Sequence, residues 1–442
     1  MTEPTTLILG LGLTGYSCIR HLAGRERLLA FDTREAPPFL GAVLSEYPDV
    51  DIVDAADWPD ALGEARRVVV SPGVAMDHKV VVSAKAANVA VTSDIELFLS
   101  AVRRPVVGVT GTNGKSTVAT LVGKLFAAGG RNVGVGGNLG TPALDLLGED
   151  MDGYVLELSS FQLERLDRPR LAVGAVLNVS ADHLDRYADL ASYAAAKRRI
   201  FRGAQRAVYN ADDPLTRPDD PVPAIALNGD PAWCLDDDEL VVGGRRVKAE
   251  TLALSGRHNQ FNALAAAAIV QQVEVEADIG ALVGFRGLPH RSHLVAEVDG
   301  VSYVDDSKAT NVGACLAALD GFGTGAKNLV LIAGGDAKGA SFDALADAVR
   351  RHVSRLVLIG RDADKIDSAL GDIVPAVRVD DMSEAVAVAH DAAHAGDTVL
   401  LSPACASFDM YTDFSERGED FAAEVARLEQ GRCSASQGIS AS

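Results

Sequence analysis

The clearest chemical pattern in the chain is a glycine-rich loop, Thr110-Gly-Thr-Asn-Gly-Lys-Ser-Thr117, between a strand-like apolar run and a helical pattern. In such a loop the backbone N–H groups can hold phosphates, Lys115 can reach the β- and γ-phosphates, and Ser116 or Thr117 can bind Mg²⁺. Val109 stands where a strict P-loop has its first glycine. An ordinary turn with an exposed lysine is the alternative, but Lys-Ser-Thr directly after glycine favours a phosphate site. We therefore predict that a nucleoside triphosphate is consumed.

A second glycine loop, Gly-Leu-Gly-Leu-Thr-Gly at residues 10–15, follows the first apolar run and opens another helical pattern. It matches G-x-G-x-x-G, and Asp32 ends the next strand-like run, as in sites that bind the pyrophosphate of NAD. The same glycines also occur where a helix packs closely on a strand or where another phosphate ligand binds. This loop alone leaves all three readings open.

Polar residues follow two more predicted strands in the middle of the chain. Glu157 ends the run Tyr154–Leu156, and His183 lies in the segment 178–185 after a further run. A carboxylate at the carboxyl edge of a parallel sheet, near a phosphate loop, is well placed for Mg²⁺, although a charged strand end is the simpler reading. His183 could bind a metal or a phosphate, or it could be a solvated loop residue.

Three further motifs are ambiguous by themselves. Lys197 fits the surface of a helix, and Asn259 or Asn262 could cap the alanine-rich helix that follows them. The segment 305–311, Asp-Asp-Ser-Lys-Ala-Thr-Asn, could be an Asx turn before a helix, or it could bring Lys308 to a phosphoryl group in transfer.

The elements that must position these residues belong to a chain of 442 residues, which suggests about three domains. A formal net charge of −20 disfavours non-specific binding to nucleic acid or to an anionic membrane. Apolar runs alternate with helical patterns throughout, which predicts doubly wound α/β sheets. We expect a Rossmann-like N-terminal domain at 1–93, a central P-loop ATPase-type domain at 94–287 and a Rossmann-like C-terminal domain at 288–442.

Together the motifs resemble the Mur ligases, ATP-dependent enzymes that join a carboxylate to an amine. The resemblance spans nearly the whole chain and rests on the loop 110–117, on Asp-His-Leu-Asp at 182–185 and on Asp-Ser-Lys-Ala-Thr-Asn at 306–311. Motifs at 334–339, 401–409 and 414–418 resemble the members of the family that add D-glutamate. Folylpolyglutamate synthases share the phosphate loop but do not call for a UDP-binding N-terminal domain.

The resemblance implies where ATP and two Mg²⁺ ions bind. The implied ATP-binding residues are Gly111, Thr112, Asn113, Gly114, Lys115, Ser116, Thr117, Asn259, Asn262, Arg291 and Asp306. The implied metal ligands are Ser116, Glu157, His183 and Lys197, the last as an anionic carbamate. The implied catalytic residues are Lys115, His183, Lys197 and Lys308. Arg291 would contact the ATP phosphates across the cleft, and Asp306 would hold the ribose.

The resemblance also reinterprets the N-terminal glycine loop, because in the D-glutamate-adding members the first domain holds the UDP of the substrate rather than NAD. The residues implied for UDP-N-acetylmuramoyl-L-alanine are Leu13, Thr14, Thr33, Arg34, Ser71, Gly73, Asn138, Ser159, Gln162 and His183. The residues implied for D-glutamate are Thr310, Lys338, Ser407, Phe408 and Phe414.

The expected activity is the ATP-dependent addition of D-glutamate to UDP-N-acetylmuramoyl-L-alanine through an acyl phosphate, in cytoplasmic synthesis of peptidoglycan precursors. We expect a monomer whose partners are these small molecules, with no nucleic acid and no membrane. Folylpolyglutamate synthase is the first alternative. An NAD-dependent oxidoreductase is the second, but it leaves Lys115 and the 306–311 motif unexplained. A non-catalytic nucleotide-binding switch is the third.

Overall fold

The computed structural model describes residues 4–439, except 139, 185, 253–255, 274, 276 and 286, with side chains as far as residue 430. Three large sheets follow one another along the described chain. Hydrophobic clusters cover both faces of these sheets: Leu329 and Leu331 pack in one cluster, while Val330 and Ile332 pack in another. The predicted three-domain α/β architecture is confirmed, whereas the exact domain boundaries stay a prediction.

The N-terminal sheet is parallel throughout, with strand order β3-β2-β1-β4-β5. Its elements are β1 (Thr5–Leu9), α1 (Leu13–Leu22), β2 (Arg27–Phe31), α2 (Leu40–Glu46), β3 (Asp51–Ile52), α3 (Trp58–Glu64), β4 (Arg67–Val70), α4 (Lys79–Ala86), β5 (Ala90–Thr92) and α5 (Asp94–Ala101). The central strands are apolar runs buried on both faces, as parallel strands require. Their carboxyl ends bring the 10–15 loop, Asp32 and residues 71–74 to one edge.

The central sheet is also parallel, with order β11-β10-β9-β6-β8-β7. Its elements are β6 (Val106–Thr110), α6 (Lys115–Ala128), β7 (Val133–Gly137), β8 (Gly153–Glu157), α7 (Ser160–Leu163), β9 (Val173–Val176), α8 (Leu190–Arg198), β10 (Arg206–Asn210), β11 (Ala224–Leu227) and α9 (Arg257–Gln271). Helix α9 begins at Arg257, before the two asparagines that were considered as its cap. Its N-cap is Gly256, without a side-chain cap, so the capping alternative for Asn259 and Asn262 is wrong.

A small antiparallel sheet lies in the stretch 212–248. It consists of β12 (Trp233–Asp236), β13 (Glu239–Val242) and β14 (Arg245–Lys248). Trp233 and Leu240 join the hydrophobic cluster of the central sheet and α9. This sheet therefore packs against α9 through apolar side chains, and its strands carry none of the predicted site residues.

The C-terminal sheet has the order β15-β16-β20-β17-β18-β19, with β15 antiparallel at its edge. Its elements are β15 (His293–Val298), β16 (Val301–Asp305), α10 (Val312–Phe322), β17 (Leu329–Gly334), α11 (Ala346–His352), β18 (Val353–Ile359), α12 (Ala363–Leu370), β19 (Ala376–Arg378), α13 (Met382–Ala392), β20 (Thr398–Leu401) and α14 (Phe414–Ile439). The ends of β16, β17 and β20 carry the motifs predicted to bind the amino acid. Among the described helices, none combines the length and apolar character needed to cross a bilayer.

Candidate active site

The phosphate loop is held in shape by the strand-end segment beside it. Thr112 N–H donates to the Asn178 carbonyl at 2.9 Å, and Asn113 N–H donates to Asn178 Oδ1 at 2.8 Å. Gly114 has a φ of 81°, and a Cβ there would lie 2.5 Å from Asn262 Oδ1. Only glycine therefore lets the loop pass this close to α9 before it enters α6.

Two lysine ammonium groups rest on carbonyls of this loop. Lys115 Nζ donates to Gly111 O at 3.0 Å and to Thr112 O at 2.8 Å, and Lys197 Nζ donates to Gly111 O at 2.7 Å. Burial lowers the pKa of both lysines, and Lys115 lowers the pKa of Lys197 further. Lys197 is only 1% exposed, so the helix-surface reading of its sequence is wrong. A lowered pKa increases the fraction of the neutral amine, which is the form that reacts with CO₂.

Glu157 supplies a buried carboxylate at the end of β8. Its Oε1 accepts from Asn138 Nδ2 at 2.6 Å, while Oε2 makes no hydrogen bond within the described part of the chain. Burial raises the pKa of Glu157, but Lys115 and neighbouring polar groups outweigh it, and the pKa lies below its ordinary value. An ionised oxygen without a donor fits Mg²⁺, which commonly uses one or two carboxylates together with substrate phosphates. No group of three or more His, Cys, Asp and Glu residues forms a metal cluster among the described residues.

Asp182 and His183 connect the central sheet to the C-terminal sheet. Asp182 accepts from Lys338 Nζ at 3.1 Å and from Asn311 Nδ2 at 3.2 Å. Burial raises the pKa of Asp182, but Lys338 and His183 lower it, and the net shift is downward. The His183 ring packs against Phe161 with 4.8 Å between the ring centroids, and its side chain is 34% exposed.

Three residues of the C-terminal half face the phosphate loop. Arg291 Nη2 donates to Ser116 Oγ at 2.6 Å, and the Lys308 ammonium lies 3.6 Å from the centre of the Phe414 ring. Burial lowers the pKa of Lys308 to about 8, with Arg291 adding to the effect. Asp306 accepts from the Ser402 hydroxyl at 2.8 Å, and burial raises its pKa to about 7.

One cleft of about 310 Å³ gathers predicted residues of several ligand groups from the central and C-terminal sheets. The predicted residues that line it are Thr112, Asn113, Gly114, Lys115, Asn138, Glu157, Ser159, His183, Lys197, Arg291, Lys308, Thr310, Lys338, Ser407, Phe408 and Phe414. Phe408 is 73% exposed at this cleft, whereas Ser407 is buried. The structure therefore brings the residues predicted for phosphate, metal and D-glutamate to one place.

A second cavity of about 430 Å³ adjoins this cleft. The predicted ATP residues that line it are Asn113, Gly114, Thr117, Asn259, Asn262, Arg291 and Asp306. Asn113, Gly114, Arg291 and Lys308 line both cavities, so the second cavity leads directly to the cleft. Its position fits the nucleoside end of a nucleotide whose phosphates reach Lys115.

The predicted UDP residues of the N-terminal sheet form a separate group at its carboxyl edge. Asp32 accepts from Leu11 N–H at 2.6 Å and from Arg34 Nη2 at 2.7 Å. Burial raises the pKa of Asp32, but Arg34 and the loop N–H groups lower it to about 2. A Cβ on Gly15 would lie 1.8 Å from Gly10 O, so this glycine is required for packing. The other predicted residues at this edge are Leu13, Thr14, Thr33, Ser71 and Gly73.

Gln162 differs from the other residues predicted for the UDP-substrate in the central domain. Its Oε1 accepts from Ser159 N–H at 3.0 Å in a capping box at the start of α7, and its Nε2 points to Asp94 Oδ2 at 3.5 Å. Gln162 does not line the cleft, whereas Ser159 and Asn138 do. Its amide is thus already engaged within the fold, and its predicted contact with substrate stays untested.

Arg417 is a buried residue at the site that the sequence prediction missed. Its Nε donates to Ser307 Oγ at 3.0 Å, its Nη2 donates to Ser307 O at 2.8 Å, and its Nη1 donates to Cys405 O at 3.2 Å. These bonds join the loops that carry Lys308 and Ser407. A basic residue in the first turn of a helix is unfavourable for the helix dipole, and this was the sequence feature that could have marked Arg417 as a residue with a special role.

Comparison with known proteins gives a consistent assignment along the chain. Family models match in sequence: Mur ligase MurD-like, N-terminal domain at residues 4–93, Mur ligase middle domain at 109–270, and Mur ligase, glutamate ligase domain at 290–405. The chain is 47% identical to the UDP-N-acetylmuramoylalanine--D-glutamate ligase of Pseudomonas aeruginosa, over 96% of this chain and 98% of that protein. It is also 47% identical to the protein of that name from Methylococcus capsulatus, over 96% and 94%.

A solved structure gives the same fold at low identity. The pseudomurein peptide ligase type C from Methanothermus fervidus matches with a TM-score of 0.62 and 18% identity, over 96% of this chain and all of that chain. That likeness concerns the fold alone, while the identities near 47% and the three family models carry the assignment. The chain belongs to the Mur ligase family.

Proposed function

We propose that the protein is an ATP-dependent ligase that joins D-glutamate to UDP-N-acetylmuramoyl-L-alanine, in cytoplasmic synthesis of peptidoglycan precursors. The observation that carries the proposal is the set of three cations facing one cleft: Lys115, Arg291 and Lys308. Burial lowers the pKa of each, and neighbouring cations of the set lower it further in Lys115 and Lys308. A bound polyphosphate would relieve this repulsion, and the same cations would then stabilise charge during phosphoryl transfer.

The reaction proceeds in two steps. The L-alanine carboxylate attacks the γ-phosphorus of ATP, which releases ADP and gives an acyl phosphate. The amine of D-glutamate then attacks the acyl carbon, and the tetrahedral intermediate expels phosphate. Lys115 and Arg291 hold the phosphates, and Lys308 neutralises the charge that develops, so the protein acts mainly by position and electrostatics.

The metal and amino-acid sites complete the cleft. The residues proposed to hold two Mg²⁺ ions are Ser116, Glu157, His183 and a carbamylated Lys197; the free Oε2 of Glu157 and the low pKa of Lys197 support this set. Bound Mg²⁺ would neutralise phosphate charge. D-glutamate is proposed to lie among Lys338, Thr310, Ser407, Phe408 and Phe414, where a cation and hydroxyls suit a dicarboxylic amino acid.

The three sheets divide the substrates under this proposal. The domain at 1–93 would bind the UDP end, the domain at 94–287 would bind ATP, and the domain at 288–442 would bind the amino acid. We propose that the protein works as a monomer.

A phosphate-release assay tests the function. Purified protein should release phosphate from ATP only when UDP-N-acetylmuramoyl-L-alanine and D-glutamate are both present. Equal turnover with L-glutamate and a folate would contradict the proposal in favour of a folylpolyglutamate synthase. Turnover of NADH followed at 340 nm would instead support the oxidoreductase.

A further inference from the structure

A partly buried cluster joins the N-terminal domain to the central domain beside the cleft. It consists of Arg165, Arg186 and Glu164, and we call it the arginine bridge. Glu164 Oε1 accepts from Arg165 Nη1 at 2.9 Å and from Arg186 Nη2 at 2.7 Å. The Arg165 side chain is 1% exposed and that of Arg186 is 19% exposed. Two guanidinium groups thus share one carboxylate at a domain junction.

Both arginines donate to carbonyls of the loop 71–74. Arg165 Nη2 donates to the Pro72 carbonyl at 3.2 Å and also to the Val74 carbonyl. Arg186 Nη1 donates to the Pro72 carbonyl at 3.4 Å, and its Nη2 donates to the Val74 carbonyl at 3.2 Å. This loop contains Ser71 and Gly73, which are predicted to line the UDP site. The planar guanidinium of arginine carries five N–H donors, which suits several hydrogen bonds to one loop.

The other side of the bridge reaches the cleft. The Arg186 guanidinium lies 4.1 Å from the centre of the Phe161 ring, which packs against His183. Arg186 N–H also donates to the His183 carbonyl at 3.0 Å. Phe161 and His183 both line the cleft. A continuous set of contacts therefore runs from the 71–74 loop through Arg186 to the cleft.

We infer that the arginine bridge positions the reacting carboxylate relative to the place where the UDP end is anchored. Binding energy from the remote UDP end then helps to orient the reacting carboxylate. The UDP end therefore increases kcat as well as affinity. Arg165 and Arg186 are positioning residues that act through the 71–74 loop and Phe161. This inference rests on the proposed function.

The test compares two substrates that carry the same reacting carboxylate. One is UDP-N-acetylmuramoyl-L-alanine, and the other is N-acetylmuramoyl-L-alanine 1-phosphate, which lacks uridine monophosphate. Arg186→Gln should lower kcat with the full substrate by about 10- to 100-fold, the usual cost of misplacing a reactant, yet change kcat/KM with the truncated substrate less than about threefold. The affinity for UDP alone, measured by calorimetry, should change less than about threefold.

Two further variants keep the test sound. Glu164→Gln leaves both arginines in place and should give an intermediate loss, and Arg168→Gln changes an exposed arginine nearby and should match the wild type. An equal fall of kcat/KM with both substrates would overturn the inference and leave a purely structural bridge. A lower affinity for UDP with unchanged kcat would do the same. Absence of turnover of the full substrate by the wild type would instead contradict the proposed function.

Discussion

The two glycine loops of this chain follow the first strand of a parallel sheet and open a helix, yet their surroundings differ. In the N-terminal loop, the carboxylate of Asp32 accepts from Leu11 N–H and pairs with Arg34. In the central loop, Lys115 and Lys197 rest on the loop carbonyls, and Arg291 approaches from the C-terminal half. One loop has its cation neutralised within the protein, and the other has an excess of cations.

The difference shows that a glycine pattern fixes backbone shape while the neighbouring side chains select the ligand. A pyrophosphate that keeps its charge spread over a diester needs few cations, whereas a transferring γ-phosphate needs several. The oxidoreductase reading depended on the glycine pattern of residues 10–15 and on Asp32 at the end of the next strand. Membership of the Mur ligase family removes the reason for that reading, because it accounts for both loops and for the 306–311 motif.

The largest effect is expected on kcat, which a substitution in the central loop should lower and a substitution in the N-terminal loop should leave almost unchanged. Lys115→Ala should lower kcat by about 10³-fold, because a preorganised charge near the transferred group is lost. The matched change in the other loop, Thr14→Ala, should raise KM for the UDP-substrate about fivefold, the value of one neutral hydrogen bond, with little change in kcat. Steady-state kinetics with each substrate varied measures both. Similar losses of kcat in the two variants would contradict the division between the loops.

The second prediction concerns Lys197. Lys197→Ala should lower turnover on the order of 100-fold, because an anionic group at the metal site would be lost. Added acetate or another short-chain carboxylate should restore part of the activity, since it can take the place of a carbamate. Thr14→Ala provides the control and should not respond to carboxylate. Full activity of the Lys197 variant without added carboxylate would refute the carbamate.

The third prediction uses pH. Burial, together with Arg291 and Lys115, lowers the pKa of Lys308 to about 8 from 10.5. Its ammonium is therefore lost as pH rises through about 8, and kcat/KM, which reports the free enzyme, should fall there. Lys308→Arg keeps the charge at higher pH and should move this alkaline limb upward. An unchanged limb in that variant would assign the titration to another group.

The smallest effect is expected at Asp32. The pKa of Asp32 is about 2 in the folded protein and 3.8 in the unfolded chain. The ionised carboxylate therefore stabilises the fold fully above pH 3.8, and this contribution is lost as pH falls through about 2. Asp32→Asn should lower the free energy of unfolding by about 1 kcal/mol or less at pH 7, because solvent screens the pair with Arg34. Urea unfolding should show this difference shrinking as pH falls from 3.8 towards 2, with exposed Asp49→Asn as control. A difference independent of pH would contradict the ion pair's role.

Local patterns in the sequence were enough to predict the sheets and the placement of their loops. Buried parallel strands are apolar runs, and the polar residues that end or directly follow them, such as Glu157 and Asp306, must gather at the carboxyl edges. The meeting of central and C-terminal edges in one cleft was implied by the resemblance to a family. Neither composition nor periodicity carries that information.

Features that depend on packing between distant segments were not predictable. Lys197 fits a helix surface by its local pattern, but α8 packs against the phosphate loop and buries it. Gln162 Nε2 points to Asp94, 68 residues away in sequence, and Arg417 donates to Ser307, 110 residues away. In each case a tertiary contact overrides what the neighbouring residues suggest.

The most direct test of the division between the loops is a crossed binding titration. Calorimetry would measure UDP and ADP with Mg²⁺ against the wild type, Lys115→Ala and Thr14→Ala. The account predicts that Lys115→Ala loses affinity for ADP but keeps it for UDP, and that Thr14→Ala does the reverse. Loss of both nucleotides in either variant, or competition between UDP and ADP for one site, would contradict it.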